Sequence, residues 1–150
     1  DRVVMLAERM AEAGAVEIAL ADTIGVAVPA QVHALFTRVH RAIGPEIRLR
    51  AHFHNTRNTG IANAWAAFEA GVRVFDSSVG GLGGCPFAPN ATGNVATEDL
   101  LYLFKRSGLD TGIDLDGMIA VGRMLEAQFG MSLPTMVGKA GGFGSAAAGS

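Results

Sequence analysis

Apolar residues recur along this chain with two different periods, and the two alternate. Over residues 29–43, Val32, Leu35, Phe36 and Val39 fall on one face of a 3.6-residue repeat. A helix is predicted there, with Pro29 suited to its first turn and Gly44-Pro45 ending it. Over residues 60–70, Ile61, Ala64, Trp65 and Phe68 share a face, and Gly71 fits the position just past the helix end. Val3, Val4, Leu6, Ala7, Met10 and Ala11 predict a helix at the start, so the chain opens inside a structural element and reads as part of a longer protein. Between these helices lie three short runs of strand character, over residues 16–21, 47–54 and 72–79. Two more helices are expected, one from about Asn94 to Arg106. The other covers 117–130, with Met118, Val121, Met124, Leu125 and Phe129 on its apolar stripe.

Strand and helix alternating at about 25–30 residues implies parallel strands joined by right-handed crossovers. A doubly wound sheet and a (β/α)8 barrel both have this rhythm. The second strand separates them. Ile47, Leu49, Ala51 and Phe53 form an apolar face, while Arg48, Arg50, His52 and His54 are all polar. A doubly wound sheet buries both faces under helices and should be apolar on each. A barrel has a different inner face, with a polar site at the carboxyl ends of its strands. The expected fold is therefore α/β, a (β/α)8 TIM barrel, of which this chain holds only the C-terminal half, about three parallel strands with flanking helices. Residues 1–143 are assigned to the barrel, and 144–150, small and glycine-rich, to a flexible tail.

Composition narrows the function. The 150 residues are 49% hydrophobic and 17% charged, which suits a chain that buries a core. A net charge of −2 without a basic stripe gives nucleic-acid binding no electrostatic support. There is no apolar run long enough for a bilayer, so no membrane association is expected. The single Cys85 cannot form an internal disulfide.

The chemistry collects at the strand ends. Asp22 ends the first strand, His52 and His54 end the second, and Asp76, Ser77 and Ser78 end the third. Residues two apart on a strand point the same way, so the two imidazoles converge and are suited to grip a divalent metal. Alone, each feature has an ordinary reading: a solvated histidine pair, or an Asp that caps a turn. The run Gly80-Gly81-Leu82-Gly83-Gly84-Cys85-Pro86 reads either as a surface hinge or as a lid that carries a reactive thiol over the site. Asn94 is a natural N-cap for the helix after it, and its carbonyl oxygen is also a reasonable ligand for a hard cation.

Taken together these segments resemble the 3-hydroxy-3-methylglutaryl-CoA lyase family. The resemblance is carried by Ala21-Asp22-Thr23-Ile24-Gly25, by His52-Phe53-His54-Asn55-Thr56, and by Ser77 through Ala88 followed by Gly93-Asn94-Val95-Ala96-Thr97-Glu98-Asp99-Leu100. It extends from the opening helix to about Phe143. The glycine-cysteine loop is its most specific part. The H-x-H strand and the D-T-I-G turn are shared more widely among metal-dependent barrel lyases and Claisen-type synthases. Asn55 stands where many relatives have Asp, and Gly80 replaces a common Ala. No segment here matches the arginine-aspartate motif of the family's first barrel strand.

The resemblance implies cleavage of a 3-hydroxy-3-methylglutaryl thioester to acetyl-CoA and acetoacetate with Mg2+ or Mn2+. His52, His54 and Asn94 would be metal ligands. His52 would also take part in proton transfer, Cys85 would protonate or shield an enolate, and Asp22 would move a proton or orient substrate. The partner is an acyl-CoA thioester, the full-length parent a homodimer, and the location cytoplasmic, or the mitochondrial matrix in a eukaryote. The chain alone, lacking the arginine-aspartate strand, is expected to be inactive. Two alternatives stay open. One is another metal-dependent aldolase or Claisen-type acyltransferase of this barrel type, which would not need the Cys85 loop. The other is a non-catalytic fragment that self-associates through open sheet edges.

Overall fold

The computed structural model describes residues 2–85 and 88–144; the side chains of Cys85 and of residues 88–92 lie outside that description. In chain order the elements are α1 (Arg2–Glu12), β1 (Glu17–Asp22), α2 (Pro29–Ile43), β2 (Arg48–Phe53), α3 (Gly60–Glu69) and β3 (Val74–Asp76). A single 3-10 turn (Val79–Gly81) leads to β4 (Gly84–Cys85), β5 (Ala88–Thr92), α4 (Thr97–Arg106), α5 (Leu115–Phe129) and α6 (Met136–Ala140). β1, β2 and β3 form one parallel sheet in that order, and β4 and β5 form a short antiparallel pair. Three strand–helix units in sequence with parallel pairing are the expected partial barrel.

The alternation along β2 decides what each face of the sheet does. Leu49, Ala51 and Phe53 are buried with Ile18 of β1 against Val32, Phe36 and Val39 of α2 and Ala64 and Ala67 of α3. The Phe36 and Phe53 rings lie 6.1 Å apart. Each fully buried side chain of this size stabilises the fold by about 1.5–3 kcal/mol. The opposite face carries Glu17, Arg48, Arg50, His52 and Asp76, and here Arg50 pairs with both Glu17 and Asp76. Ala19 and Ala21 on that face are exposed. Charge on one side and hydrocarbon on the other is what a barrel wall requires and what a sheet sandwiched by helices does not.

Three expectations need correction. The fourth helix starts at Thr97, not Asn94, and Asn94 is not its cap. Residues 94–96 instead run beside the strand ends, after a left-handed Gly93. Asn55 donates its amide to the Gly93 carbonyl (3.2 Å), Val95 to Phe53 (3.1 Å), Ser78 to Val95 (3.1 Å) and Thr97 to Ser78 (2.8 Å). Pairing with preformed strand ends satisfies these backbone groups before a helix could.

The fifth helix begins earlier than expected, at Leu115, with Asp114 accepting the Gly117 amide at 2.8 Å as its N-cap. It buries Leu115, Ile119 and Gly122, whereas Val121, Met124 and Phe129 of the expected stripe are exposed. The helix turns its glycine inward because α4 presents a side chain there that leaves no room for a larger residue. Finally, the glycine loop contains the β4–β5 pair, and α6 follows α5 where no element was expected. Of the expected tail, residues 145–150 lie outside the described residues.

Candidate metal centre

β2 places two imidazoles at its carboxyl end, with ring centroids 5.2 Å apart and planes tilted by 52°. The His52 side chain is 29% exposed and its Nδ1 lies 3.3 Å from Asp76 Oδ2. His54 is 4% exposed, and its Nδ1 is buried without a hydrogen-bond partner among the described residues. Burial, and then the neighbouring His52, hold His54 below the ordinary imidazole range, while Asp22 opposes them. This favours the uncharged form of His54, which has one bare ring nitrogen.

Asn94 comes to the same place through the backbone. It forms an isolated antiparallel bridge with His54. Its Nδ2 donates to the Leu82 carbonyl at 2.9 Å, which fixes the other end of the amide as the oxygen. That Oδ1 is buried and, among the described residues, has no partner. A buried acceptor left unmet costs about 1–3 kcal/mol. An unpartnered imidazole nitrogen and an unpartnered amide oxygen on bridged residues fit a divalent cation when the imidazole nitrogen is the bare one. Among the described residues no group of three or more His, Cys, Asp or Glu side chains converges, so a third donor beside the two rings would have to be of another type, as an amide oxygen is.

Asp22 stands on the same rim but has other engagements. Its Oδ1 accepts the Val26 amide at 3.1 Å and its Oδ2 the Ala27 amide at 2.9 Å. Arg57 holds the same turn from β2's side, donating to the Ile24 and Gly25 carbonyls at 3.0 Å each. The backbone of Cys85 pairs with Ala88 in the β4–β5 hairpin, while the side chain expected to serve in chemistry lies outside the described residues.

Two side-chain partnerships near the site escaped the sequence reading. Glu98 is fully buried on α4, and both of its oxygens accept the Gly80 amide, at 3.0 and 2.8 Å. Thr135 donates its own amide to the Gly80 carbonyl at 3.1 Å, so the root of the glycine loop is gripped from two sides. Burial raises the Glu98 carboxyl above the usual range. The available signal was position: Glu98 stands three residues before Leu101, on the inward side of its helix. Asp76, already read as a rim residue, makes the second. Its partnership with His52 depends on inter-strand register, which one strand's pattern does not reveal.

A parallel sheet with helices on one face, an inward charged face and imidazoles at the carboxyl rim define the chain as part of a (β/α)8 barrel enzyme fold. The HMGL-like family model matches residues 1–125, and the chain belongs to that family. It is 53% identical over 141 residues to the (R)-citramalyl-CoA lyase of Chloroflexus aurantiacus, covering 94% of this chain and 44% of that protein. It is 47% identical over 140 residues to the hydroxymethylglutaryl-CoA lyase of Pseudomonas mevalonii, covering 93% and 46%. Among solved structures, an HMG-CoA lyase from Acinetobacter baumannii in complex with coenzyme A and 3-methylmalate superposes with a TM-score of 0.90 at 46% identity, over 96% of this chain and 47% of that one. The carboxyl transferase domain of Rhizobium etli pyruvate carboxylase with pyruvate is more distant, at 27% identity and a TM-score of 0.71 over 84% and 20%. The chain thus spans less than half the length of the lyases it matches.

Proposed function

We propose that the protein carrying this chain is a divalent-metal-dependent carbon–carbon lyase acting on a 3-hydroxyacyl-CoA thioester of the hydroxymethylglutaryl type, releasing acetyl-CoA and acetoacetate. The observation that carries this reading is the pair of buried atoms, His54 Nδ1 and Asn94 Oδ1, that have no hydrogen-bond partner among the described residues and sit on residues bridged to each other. His52, His54 and Asn94 would hold Mg2+ or Mn2+. When bound, such an ion supplies Lewis acidity toward the substrate's hydroxyl and carboxylate oxygens.

The chain's own residues account for the rest. The substrate's 3-hydroxyl loses its proton, the bond between C2 and C3 breaks, the oxygen's electrons form the ketone, and the bond pair passes to the thioester as an enolate. His52, about a third exposed at the rim, would lie close enough to the reacting carbons to take part in proton transfer, and Asp22 is the carboxylate offered for the hydroxyl proton. Cys85, on the strength of its loop sequence, is offered to protonate or shield the enolate. Asp22, whose oxygens also accept the Val26 and Ala27 amides of the turn after β1, would move that proton or orient substrate. The loop anchored at Gly80 would keep water from the enolate. Residues 1–150 alone would be inactive, since two imidazoles and one amide leave the ligand set of a hard cation unfinished.

A second substrate reading is favoured by one observation: the relative at 53% identity is named for (R)-citramalyl-CoA. Both thioesters carry a tertiary hydroxyl beside a carboxylate-bearing carbon chain, so one site chemistry serves either, the citramalyl compound yielding pyruvate in place of acetoacetate. Turnover of each by the intact protein, with Mg2+ or Mn2+ and after chelation, tests the proposal. Expected is cleavage of at least one thioester, lost on chelation and restored by the ion. Equal rates with and without the metal would sink it.

A further inference from the structure

We propose that Asp76 is the residue that positions His52, and that Arg50 holds Asp76 for that purpose; this rests on the reading of His52 as a cation ligand. The register sets Asp76 directly opposite His52 across the β2–β3 pair. One oxygen, Oδ2, lies 3.3 Å from His52 Nδ1, and the other, Oδ1, accepts from Arg50 Nη1 at 3.3 Å. The second terminal nitrogen of Arg50 is bound to Glu17 of β1, which also accepts from Arg48 at 3.4 Å. A single line of charge therefore runs across three strands and ends on one imidazole nitrogen.

The donor and acceptor inventory makes this line directional. A neutral imidazole has one N–H and one bare nitrogen. A carboxylate only accepts, so Asp76 at Nδ1 requires the ring proton to sit there. Nε2 is then left bare, the form in which a histidine can ligate. Arg50 only donates, so it occupies the other Asp76 oxygen and stops the carboxylate from turning away from the ring. His52 and Asp76 are each about a third exposed, and the contribution is one of orientation more than of stability.

An amide in place of the carboxylate gives an opposite and specific result. In D76N, donor-only Arg50 must take the single amide oxygen, and the NH2 end faces His52. Nδ1 must then accept, and the proton moves to Nε2. Removing the Arg50 donors in the double variant D76N/R50M frees the oxygen to turn back to the ring.

The test is nitrogen-15 NMR of the histidine rings in the metal-free intact protein at about pH 8, above the ordinary imidazole range, alongside Mn2+ titration. His52 is expected to carry its proton on Nδ1 in the wild type, on Nε2 in D76N, and on Nδ1 again in D76N/R50M. Mn2+ affinity should fall by about 10–100-fold in D76N and recover substantially in the double variant. An unchanged tautomer in D76N, or Mn2+ affinity that does not follow the tautomer, overturns the assignment. Tautomers that shift as expected in a protein that binds no Mn2+ even as wild type would uphold Asp76's control of the ring and refute the cation reading beneath it.

Discussion

Glu98 directs both carboxylate oxygens at one backbone group, the amide of Gly80, at 3.0 and 2.8 Å. The carboxylate is fully buried on α4, and the glycine begins the loop that leads to Cys85. A helix thus reaches across to fix the point from which the loop departs. Replacing Glu98 by Ala leaves a buried amide without its partner and opens a cavity. The expected loss is about 2–4 kcal/mol, combining the unmet amide with the missing packing. E98Q keeps one acceptor oxygen and should cost less than E98A. Urea unfolding of the two variants beside the wild type gives the order; E98Q at least as damaging as E98A would contradict it.

The same carboxylate predicts a pH effect with a definite sign. Burial raises the Glu98 pKa in the folded state. The contribution from its raised pKa is complete below the ordinary carboxylate value of about 4.3 and is lost as pH rises through the higher folded value. Other carboxylates also titrate in this window, so the comparison is with E98Q, in which they are unchanged. The stability of E98Q relative to wild type should increase from about pH 4 to pH 7.5. A difference that stays flat or shrinks over that window would mean that Glu98 is not desolvated as its burial indicates.

Gly80 has φ of +64°, and a Cβ built on it would lie 2.2 Å from Leu133 Cδ1. Two costs therefore meet in G80A: a left-handed backbone, about 1–2 kcal/mol, and a clash with a fully buried leucine, about 1–3 kcal/mol. Shortening Leu133 removes only the second. The double variant G80A/L133A should cost less than the sum of the two single variants by about 1–3 kcal/mol. Strict additivity in a denaturation cycle would show that the clash is relieved some other way.

What was legible in the sequence follows from the range over which each signal acts. Periodicity is local, and it predicted α2 and α3 to within a residue at each boundary and β2 with its two faces correctly assigned. The H-x-H spacing is also local, and the rings do stand side by side. Asn94 was misread as a cap because the polar run before α4 fits capping chemistry; its extended course depends on β2 and β3, which lie far away in sequence. The buried face of α5 was misjudged for a related reason. Hydrophobicity pointed to Val121, Met124 and Phe129, but a Cβ on Gly122 would lie 2.6 Å from Glu98 Oε1, so close approach to a buried carboxylate sets the rotation. Asp76, Arg50 and Glu98 were unreadable as partners because register and burial are tertiary facts.

Asp22 supports one more prediction. Its two oxygens hold the Val26 and Ala27 amides at 3.1 and 2.9 Å, and Arg57 grips the Ile24 and Gly25 carbonyls between them. The turn after β1 is thus tied by a carboxylate from one side and a guanidinium from the other. An amide at position 22 can accept only one of the two N–H groups, and its NH2 faces the second. D22N should lose about 1–2 kcal/mol, since a hydrogen bond to a charged group is exchanged for an opposed pair of donors. R57A, which removes one exposed and one partly buried contact, should lose about 1 kcal/mol or less. Hydrogen exchange locates the effect: the Val26 and Ala27 amides should exchange faster in D22N, while amides within β2 keep their protection. Unchanged protection at Val26 and Ala27 would mean that Asp22 does not hold the turn. The carboxylate would then be free for the proton transfer or substrate orientation that its place beside His54 allows.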